Sequence, residues 1–317
     1  MIALSVDRLS GCIGAVVSGV DLSAELDDST ITEIRKLFLD HLVIFFRDQH
    51  LSLQQQVAFA TRFSPLSPMP FTQPEDNYPD LLELATSANE PNKQIVGGGW
   101  HSDSTFMEQP PLGSVLYGVK CPDWGGDTQF ANQYAAYEAL SDGMKELLDG
   151  MTALHSGESY TIAPAPPEAN LDRAFVEARR HGREVAHPVV RVHPETGRKA
   201  LVVNSSFTTR FENMTVEESR PLLEFLYLWA TQSRFSCRFR WQTGSVAMWD
   251  NRCTLRARPF MTRSTSSARR QCSESRAFLC TSIRVSLEDC LLATHSFIGD
   301  PRMGNPSTRN NVLRLHS

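Results

Sequence analysis

The stretch of residues 235–252, "FSCRFRWQTGSVAMWDNR", constrains the fold of this chain more than any other segment. In its first half apolar and polar residues alternate, which is the period of a strand with one buried face. The alternating apolar positions are Phe235, Cys237, Phe239 and Trp241. A Thr-Gly turn then leads into a second apolar run. The pattern therefore predicts a half-buried antiparallel strand, followed by the second segment across the turn.

Short strand-like segments recur along the chain, and helical segments lie mainly near its start and in insertions. Strands are predicted at "LVIFF" and in the hairpin "HPVVRVHPETGRKALVVN". One amphipathic helix is predicted from Ser29, as N-cap, to about Asp40. Another opens with a capping box at Thr215 and Glu218, and Pro221 inside it predicts a kink or a later start. The fold class is therefore mainly β with flanking helices, a double-sheet barrel of the jelly-roll kind.

Charge and hydropathy exclude several classes of partner. The chain has 317 residues and a net charge of -5, and its acidic and basic residues are interspersed. Because it has no basic stripe, binding to nucleic acid or to a membrane surface is not predicted. No apolar run of about 18 residues and no signal peptide is recognisable, which predicts a cytoplasmic protein. The seven cysteines form no C-x-x-C pair and are expected to be reduced. The expected partner is a small molecule.

The segment "GGGWHSDSTF", residues 97–106, places His101 and Asp103 two positions apart. On a strand, such residues point to the same face, so an imidazole and a carboxylate could bind one ion. The pair supplies two of the three ligands of a 2-His-1-carboxylate iron site. A polar strand end without a metal is the alternative that the pair by itself leaves open.

Five segments, in order and spacing, resemble the taurine dioxygenase family of Fe(II)- and 2-oxoglutarate-dependent dioxygenases. The resemblance covers residues 10 to about 255. It rests on "GCIGAVVSGVDLS", "VIFFRDQHLSLQQQVAFATRF", "WHSDSTFMEQPPLGSVLYGVKCPDWGGDTQFANQYAAYEAL", "HPVVRVHPETGRKALVVNSSFTTRF" and "FRWQTGSVAMWDNRCT".

The resemblance implies a double-stranded β-helix, which is a cupin-like jelly roll, and assigns roles to individual residues. His101 and Asp103 become iron ligands, and Thr128 in the G-G-D-T turn becomes a hydrogen-bonding partner of the distal carboxylate of 2-oxoglutarate. Phe207 matches an aromatic residue that lines the substrate pocket, with ordinary core packing as the alternative. Trp100 and Trp249 flank the site in sequence and are expected only to pack.

The chemistry implied by the resemblance is the hydroxylation of a small organic substrate, of the sulfonate, sulfate ester or carboxylate class. Iron with three protein ligands leaves positions for 2-oxoglutarate and dioxygen. Decarboxylation of 2-oxoglutarate gives succinate, carbon dioxide and an oxidant that removes hydrogen from a substrate C–H bond. By the same resemblance, a homo-oligomer is expected.

The family pattern fails at Arg256, which stands where the third iron ligand, a histidine, is expected. Arginine stays protonated and has no lone pair to donate. An arginine that binds 2-oxoglutarate is expected ten to fifteen residues later, where the chain offers Arg269 or Arg270; we assign the role to Arg270. His295 and His316 remain as substitute iron ligands without a supporting motif.

Composition changes after residue 255, which divides the chain into a dioxygenase-like domain, 1–255, and an atypical tail, 256–317, of uncertain fold. Residues 256–290 contain seven Arg, seven Ser and three Cys but no Gly, Trp or Tyr. One hypothesis is that the tail is a frame-shifted reading of a normal family C-terminus. If the third ligand is lost, the alternative function is a non-catalytic jelly-roll scaffold or a defective product.

Two departures from taurine-specific members concern the substrate pocket. These members carry histidines in the loop that corresponds to "SPLSPMPF" and an asparagine shortly before W-H-x-D. This chain has Pro, Met, Phe and Gly instead. The exchange predicts a substrate larger and more apolar than taurine.

Overall fold

The computed structural model describes residues 4–66, 81–86, 97–123, 125–157, 184–257 and 275–281. All of them fall within one compact unit, Met1–Val285, and the second unit, Ser286–Ser317, lies outside the described residues. Arg269, Arg270, His295 and His316 lie outside them too, as does most of the loop "SPLSPMPF".

A seven-stranded sheet forms the larger part of the fold, in the order β1-β2-β3-β13-β5-β15-β4. All neighbours in it pair antiparallel except β2 and β3, which are parallel. Its strands are β1 (Ser5–Arg8), β2 (Ala15–Ser18), β3 (Val43–Phe46), β4 (Leu81–Thr86), β5 (Gly113–Lys120), β13 (Ser245–Asp250) and β15 (Ser275–Thr281).

The other described strands form three smaller sheets. The first has the order β12-β6-β14, the second β11-β7-β8, and the third is the pair β10-β9. Their strands are β6 (Thr128–Asn132), β7 (Thr152–His155), β8 (Val185–Pro188), β9 (Val190–Val192), β10 (Lys199–Leu201), β11 (Thr208–Phe211), β12 (Ser236–Phe239) and β14 (Cys253–Ala257). The chain is mainly β, as predicted, and β12 lies where the alternation predicted a half-buried strand, with β13 in the segment that follows the turn.

Within the described ranges, five α-helices flank the sheets. They are α1 (Asp28–His41), α2 (Leu53–Thr61), α3 (Gln133–Glu138), α4 (Asp142–Leu148) and α5 (Val216–Ala230). Among the described residues, no helix is long and apolar enough to cross a membrane.

Two helix starts test the capping predictions. Helix α1 has Asp27 as its N-cap, with the side chain accepting from the Thr30 backbone N–H, so the prediction of Ser29 was wrong. Asp27 precedes two further residues that can cap, and the extended backbone at position 27 decides which one does. Helix α5 begins after Thr215 with its capping box formed, and it runs through Pro221. A later start was therefore wrong.

An apolar layer lies between the large sheet and the β12-β6-β14 sheet. Phe45 of β3 stacks on Phe239 of β12, with ring centroids 3.7 Å apart, and Phe130 of β6 contacts Trp249 of β13. These residues belong to one buried cluster, so the layer fixes the two sheets against each other. The strands that frame "WHSD" are β5, β13 and β14, which all border this layer.

Strand β15 lies in the tail that the composition sets apart. It pairs on one side with β5 and on the other with β4. A strand paired on both sides is an interior strand of the large sheet. The Ser/Arg-rich composition of residues 256–290 did not predict this position, although the last part of the tract, "AFLCTSIRV", has strand-like character.

Candidate functional site

The segment that contains His101 and Asp103 is held against β14 by backbone pairing. His101 and Leu255 exchange both hydrogen bonds, at 3.0 Å and 2.7 Å, and the Ala257 N–H donates to the Gly97 carbonyl at 2.7 Å. His101 therefore forms an isolated bridge at the free edge of β14, next to the β12-β6-β14 sheet. Because directly opposed residues share a face, the His101 and Leu255 side chains point to the same side.

His101 and Asp103 lie side by side in the structure. Nε2 of His101 is 3.5 Å from Oδ1 of Asp103, and the two side chains are 11% and 12% exposed. The other ring nitrogen, Nδ1, is 2.9 Å from the Gly99 carbonyl oxygen. A carbonyl can only accept, so Nδ1 carries a proton and Nε2 is the nitrogen that faces the carboxylate.

The second carboxylate oxygen of Asp103 is held by two donors. Oδ2 accepts from the Ser114 hydroxyl at 2.6 Å and from the Trp249 indole N–H at 2.9 Å. Ser114 and Trp249 are directly opposed on the paired strands β5 and β13, so one cross-strand pair supplies both donors. The assignment of Trp249 to packing alone was therefore wrong, and Ser114 is a site residue that the sequence did not reveal.

Two further hydrogen bonds fix the backbone around the pair. The Asn251 side-chain amide donates to the Asp103 carbonyl at 2.8 Å and to the Pro111 carbonyl at 3.1 Å. The Ser102 hydroxyl donates to the Cys253 carbonyl at 3.1 Å. The turn between β13 and β14, together with the first residue of β14, thus holds the "WHSD" segment at Ser102 and at the Asp103 carbonyl.

The two groups perturb each other's protonation. Burial lowers the pKa of His101, but the Asp103 carboxylate and the Gly99 carbonyl outweigh burial, so the pKa lies above its ordinary value. Burial raises the pKa of Asp103, but His101, Ser114 and Trp249 together bring it below its ordinary value. The pair therefore favours a proton on Nε2 next to an ionised carboxylate. A divalent cation would displace that proton, because metals bind the deprotonated ring nitrogen.

Thr128 lies on the same face of the small sheet as His101. It is opposite Ala257, while Phe130, two residues further along β6, is opposite Leu255 and hence in line with His101. Thr128 is buried, and its hydroxyl oxygen accepts from the Trp241 indole N–H at 2.9 Å. That bond leaves the hydroxyl hydrogen available to a ligand on this face.

Arg256 lies on the opposite face. It is paired with Gln129, and its Nε donates to the Gln129 side-chain oxygen at 2.9 Å. Its guanidinium lies 4.8 Å from the centre of the Trp100 ring. The residue at the position of the missing third ligand is thus an arginine that points away from His101 and is engaged by other groups.

Phe207 lies beside the pair. Its ring is 97% buried and meets the His101 ring edge-on, with centroids 6.2 Å apart. Phe106 contacts Phe207 in the same way, at 4.9 Å. The two rings form an apolar wall next to His101, which is compatible with a pocket wall and with core packing.

A network of buried polar side chains adjoins Phe106 and Phe207, since Thr105 and Thr208 are their neighbours in the sequence. Nδ1 of His155 is 3.1 Å from the Thr105 hydroxyl and 3.4 Å from the Thr208 hydroxyl. The Asn204 side-chain amide donates to the Thr105 hydroxyl at 3.1 Å. Within the described part of the chain, Nε2 of His155 has no hydrogen-bonding partner, and His187 packs edge-on against its ring. Sequence reasoning did not identify this network.

The donor set fits a divalent metal ion in part. Two ligands in adjacent positions, each about 2.1 Å from an ion, are about 3 Å apart, close to the 3.5 Å between Nε2 and Oδ1. The hydrogen-bonded Nδ1 and Oδ2 are the outer contacts that orient metal ligands. Among the described residues, however, no group of three His, Cys, Asp or Glu side chains surrounds one point. Two ligands fit and a third is lacking there.

Comparison with known proteins identifies the family. A model of the family described as "Taurine catabolism dioxygenase TauD, TfdA family" matches residues 5–270. An alkylsulfatase of Acinetobacter baylyi is 36% identical over 258 residues, which are 79% of this chain and 78% of that protein. An alpha-ketoglutarate-dependent sulfate ester dioxygenase of Pseudomonas putida is 38% identical over 259 residues, which are 79% and 82% of the two chains.

A solved structure of AAD-2, in complex with Mn(II) and N-oxalylglycine, superposes with a TM-score of 0.71. The match has 26% sequence identity and covers 90% of this chain and 99% of that chain.

Proposed function

The chain belongs to the TauD/TfdA family of Fe(II)- and 2-oxoglutarate-dependent dioxygenases, and we propose that His101 and Asp103 are two of its iron ligands. Thr128 and Arg270 are proposed to bind 2-oxoglutarate, and Phe207 to line the substrate pocket. The proposed reaction hydroxylates a small organic substrate while 2-oxoglutarate is decarboxylated to succinate. The iron and 2-oxoglutarate, when bound, supply the oxidant for this reaction.

One observation carries the proposal. Nε2 of His101 and Oδ1 of Asp103 converge at 3.5 Å, while the remaining nitrogen and oxygen are each held by donors or acceptors of the fold. A polar strand end without a function would not need an orienting partner on every other atom of the pair. The double-stranded β-helix is proposed as the fold, supported by the two sheets that enclose the apolar layer beside this pair.

We propose a sulfate ester with a sizeable apolar group as the substrate class, with sulfonates and carboxylates as alternatives within the family. The named activities of the Acinetobacter and Pseudomonas relatives support a sulfate ester. The wall of Phe106 and Phe207 beside His101 supports an apolar group, since aromatic rings bind hydrocarbon better than a small zwitterion.

The first test is an anaerobic titration of the purified protein with Fe(II) and 2-oxoglutarate, followed by the visible charge-transfer band of the chelate. We expect a band that saturates near one equivalent and that Asp103→Asn abolishes. Asp142→Asn, which changes an exposed aspartate in the first turn of α4, is the matched control and should keep the band.

The second test measures succinate release with alkyl sulfates of increasing chain length and with taurine. Release that rises with chain length supports the substrate class, and preference for taurine contradicts it. If the folded protein gives no charge-transfer band, the chain lacks a working metal site, which is the non-catalytic alternative. A homo-oligomer and a cytoplasmic location remain predictions from the sequence.

A further inference from the structure

Gly97 has a place in the site that neither its sequence neighbours nor the ligand pair reveals. Its φ of +75° lies in the left-handed region that favours glycine. Its carbonyl accepts the Ala257 N–H at 2.7 Å, so β14 fixes its position. The backbone of Gly97 is therefore held in place, and the residue cannot easily move aside.

The missing side chain of Gly97 would point at the His101 ring. A β-carbon at this position would lie 3.1 Å from Cε1 of His101 and 3.7 Å from Nε2. The first distance is shorter than ordinary contact between carbon atoms, about 3.5 to 4.0 Å.

His101 cannot yield to such a contact without loss. Its Nδ1–H is bound to the Gly99 carbonyl, Nε2 faces Asp103, and the Phe207 ring packs edge-on against it. Any tilt of the ring would break the Gly99 bond or move Nε2 away from Oδ1. A side chain at position 97 would consequently either displace the ring or cover the side of Nε2 from which an ion must approach.

We propose that Gly97 keeps the metal-facing edge of His101 open, and that a side chain at this position obstructs metal binding in proportion to its size. The proposal rests on the proposed function, because it assigns the open space to that metal site. Gly97 is then a positioning residue, because the absence of a side chain at this position leaves space for the ion beside His101.

The chain provides a matched control for the backbone strain. Gly197 has a φ of +67°, also in the left-handed region, and a β-carbon there meets nothing within 4 Å. Replacing either glycine by alanine imposes a comparable backbone strain, because both positions lie in the left-handed region. Only the change at Gly97 adds a contact with His101.

The experiment compares Gly97→Ala and Gly97→Leu with Gly197→Ala and Gly197→Leu. Calorimetry measures Mn(II) binding in the presence of 2-oxoglutarate. We expect Gly97→Ala to weaken binding about tenfold and Gly97→Leu more than a hundredfold, and both Gly197 variants to bind like the unmodified protein. If Gly97→Leu binds Mn(II) as tightly as Gly197→Leu does, the proposal is overturned.

A second measurement needs no metal. In protein with ¹³C-labelled histidine, the Cε1–H signal of His101 is assigned by its loss in His101→Asn. We expect Gly97→Ala to shift that signal and Gly197→Ala to leave it in place. An unchanged signal in Gly97→Ala overturns the proposal even if no protein binds Mn(II). Failure of the unmodified protein to bind Mn(II) overturns the proposed function instead, and with it the purpose of the open edge.

Discussion

At the scale of single residues, the site depends on donors that orient a carboxylate. Trp249 reaches Oδ2 of Asp103 through its indole N–H while the ring packs in the core. We expect Trp249→Phe to lower Mn(II) affinity about tenfold, because one of the two donors that orient Asp103 is lost. Calorimetry measures the affinity, and chemical denaturation checks that the variant is folded.

Trp229→Phe is the matched control for this substitution. Trp229 lies on helix α5, and its indole N–H donates to the Ala136 carbonyl of α3 at 2.8 Å. Its ring packs against a different buried cluster. The same atoms are removed and one hydrogen bond is lost, which should cost stability of about 1 kcal/mol but no metal affinity. Equal effects of the two variants on Mn(II) binding would contradict an orienting role of Trp249.

A second residue-scale prediction concerns the buried His155. Burial lowers its pKa to about 3, with His187 and Arg191 adding to the effect. Above about pH 6.5 both folded and unfolded chains keep this ring neutral, so it contributes no pH dependence. Below that pH the unfolded chain binds a proton that the folded chain refuses until about pH 3. As the pH is lowered through this window, the free energy of unfolding should therefore fall by about 1.4 kcal/mol for each pH unit.

His155→Gln tests the assignment through the slope of stability against pH, and not through absolute stability, which glutamine itself changes. Denaturation is measured between pH 7 and pH 5. We expect the variant to lose about 2 kcal/mol less than the unmodified protein over this range. His50→Gln, at an exposed position, controls for the substitution. An unchanged slope in His155→Gln would contradict the prediction.

The residues of the site were predictable to different degrees. His101 and Asp103 stood out as a pair because a spacing of two puts both side chains on one face of an extended chain, and the resemblance to the dioxygenase family then assigned them to iron. Trp249 and Ser114 were not, because they meet Asp103 only through the register of β13 against β5. A pairing between positions 135 residues apart has no local signal in the sequence.

At the scale of elements, alternation and one capping box predicted the elements that carry them, and composition misled. The alternation of residues 235–241 predicted β12, whose buried and exposed positions alternate. Thr215 and Glu218 predicted the start of α5. The composition of the arginine- and serine-rich tract, by contrast, did not predict β15. This strand is defined by its pairing with β4 and β5 and not by an apolar run.

Hydrogen exchange tests the placement of β15. Its amides bond to β4 and β5, so we expect residues 275–281 to exchange as slowly as residues 113–120 of β5. Strand β1, which pairs on one side only, serves as the reference for an edge and should exchange faster. Exchange in residues 275–281 as fast as in an unstructured peptide would show that the sheet lacks this strand.

At the scale of the whole molecule, Arg256 stands where the sequence predicts a boundary between a dioxygenase-like domain and an atypical tail, and the family match continues past it to residue 270. In the present pairing, position 256 faces Gln129 and Trp100 and not His101. Arg256→His should therefore leave Mn(II) affinity unchanged within about threefold, because a lone new imidazole on that face does not reach the ion. A clear gain in affinity would instead mean that β14 can shift its register by one residue.

The hypothesis of a frame-shifted tail makes a larger prediction, because a restored segment would change the pairing of β14 together with the side chain at position 256. Reading the coding DNA after codon 255 in the other two frames should reveal a T-x-H sequence and an arginine-rich segment of the M-H-R type. A chain rebuilt with that segment should bind Mn(II) about 10- to 100-fold more tightly than the present one, since a complete set of three ligands replaces two. Absence of both motifs from both frames would remove the hypothesis. His101 and Asp103 would then be a two-ligand site in their own right.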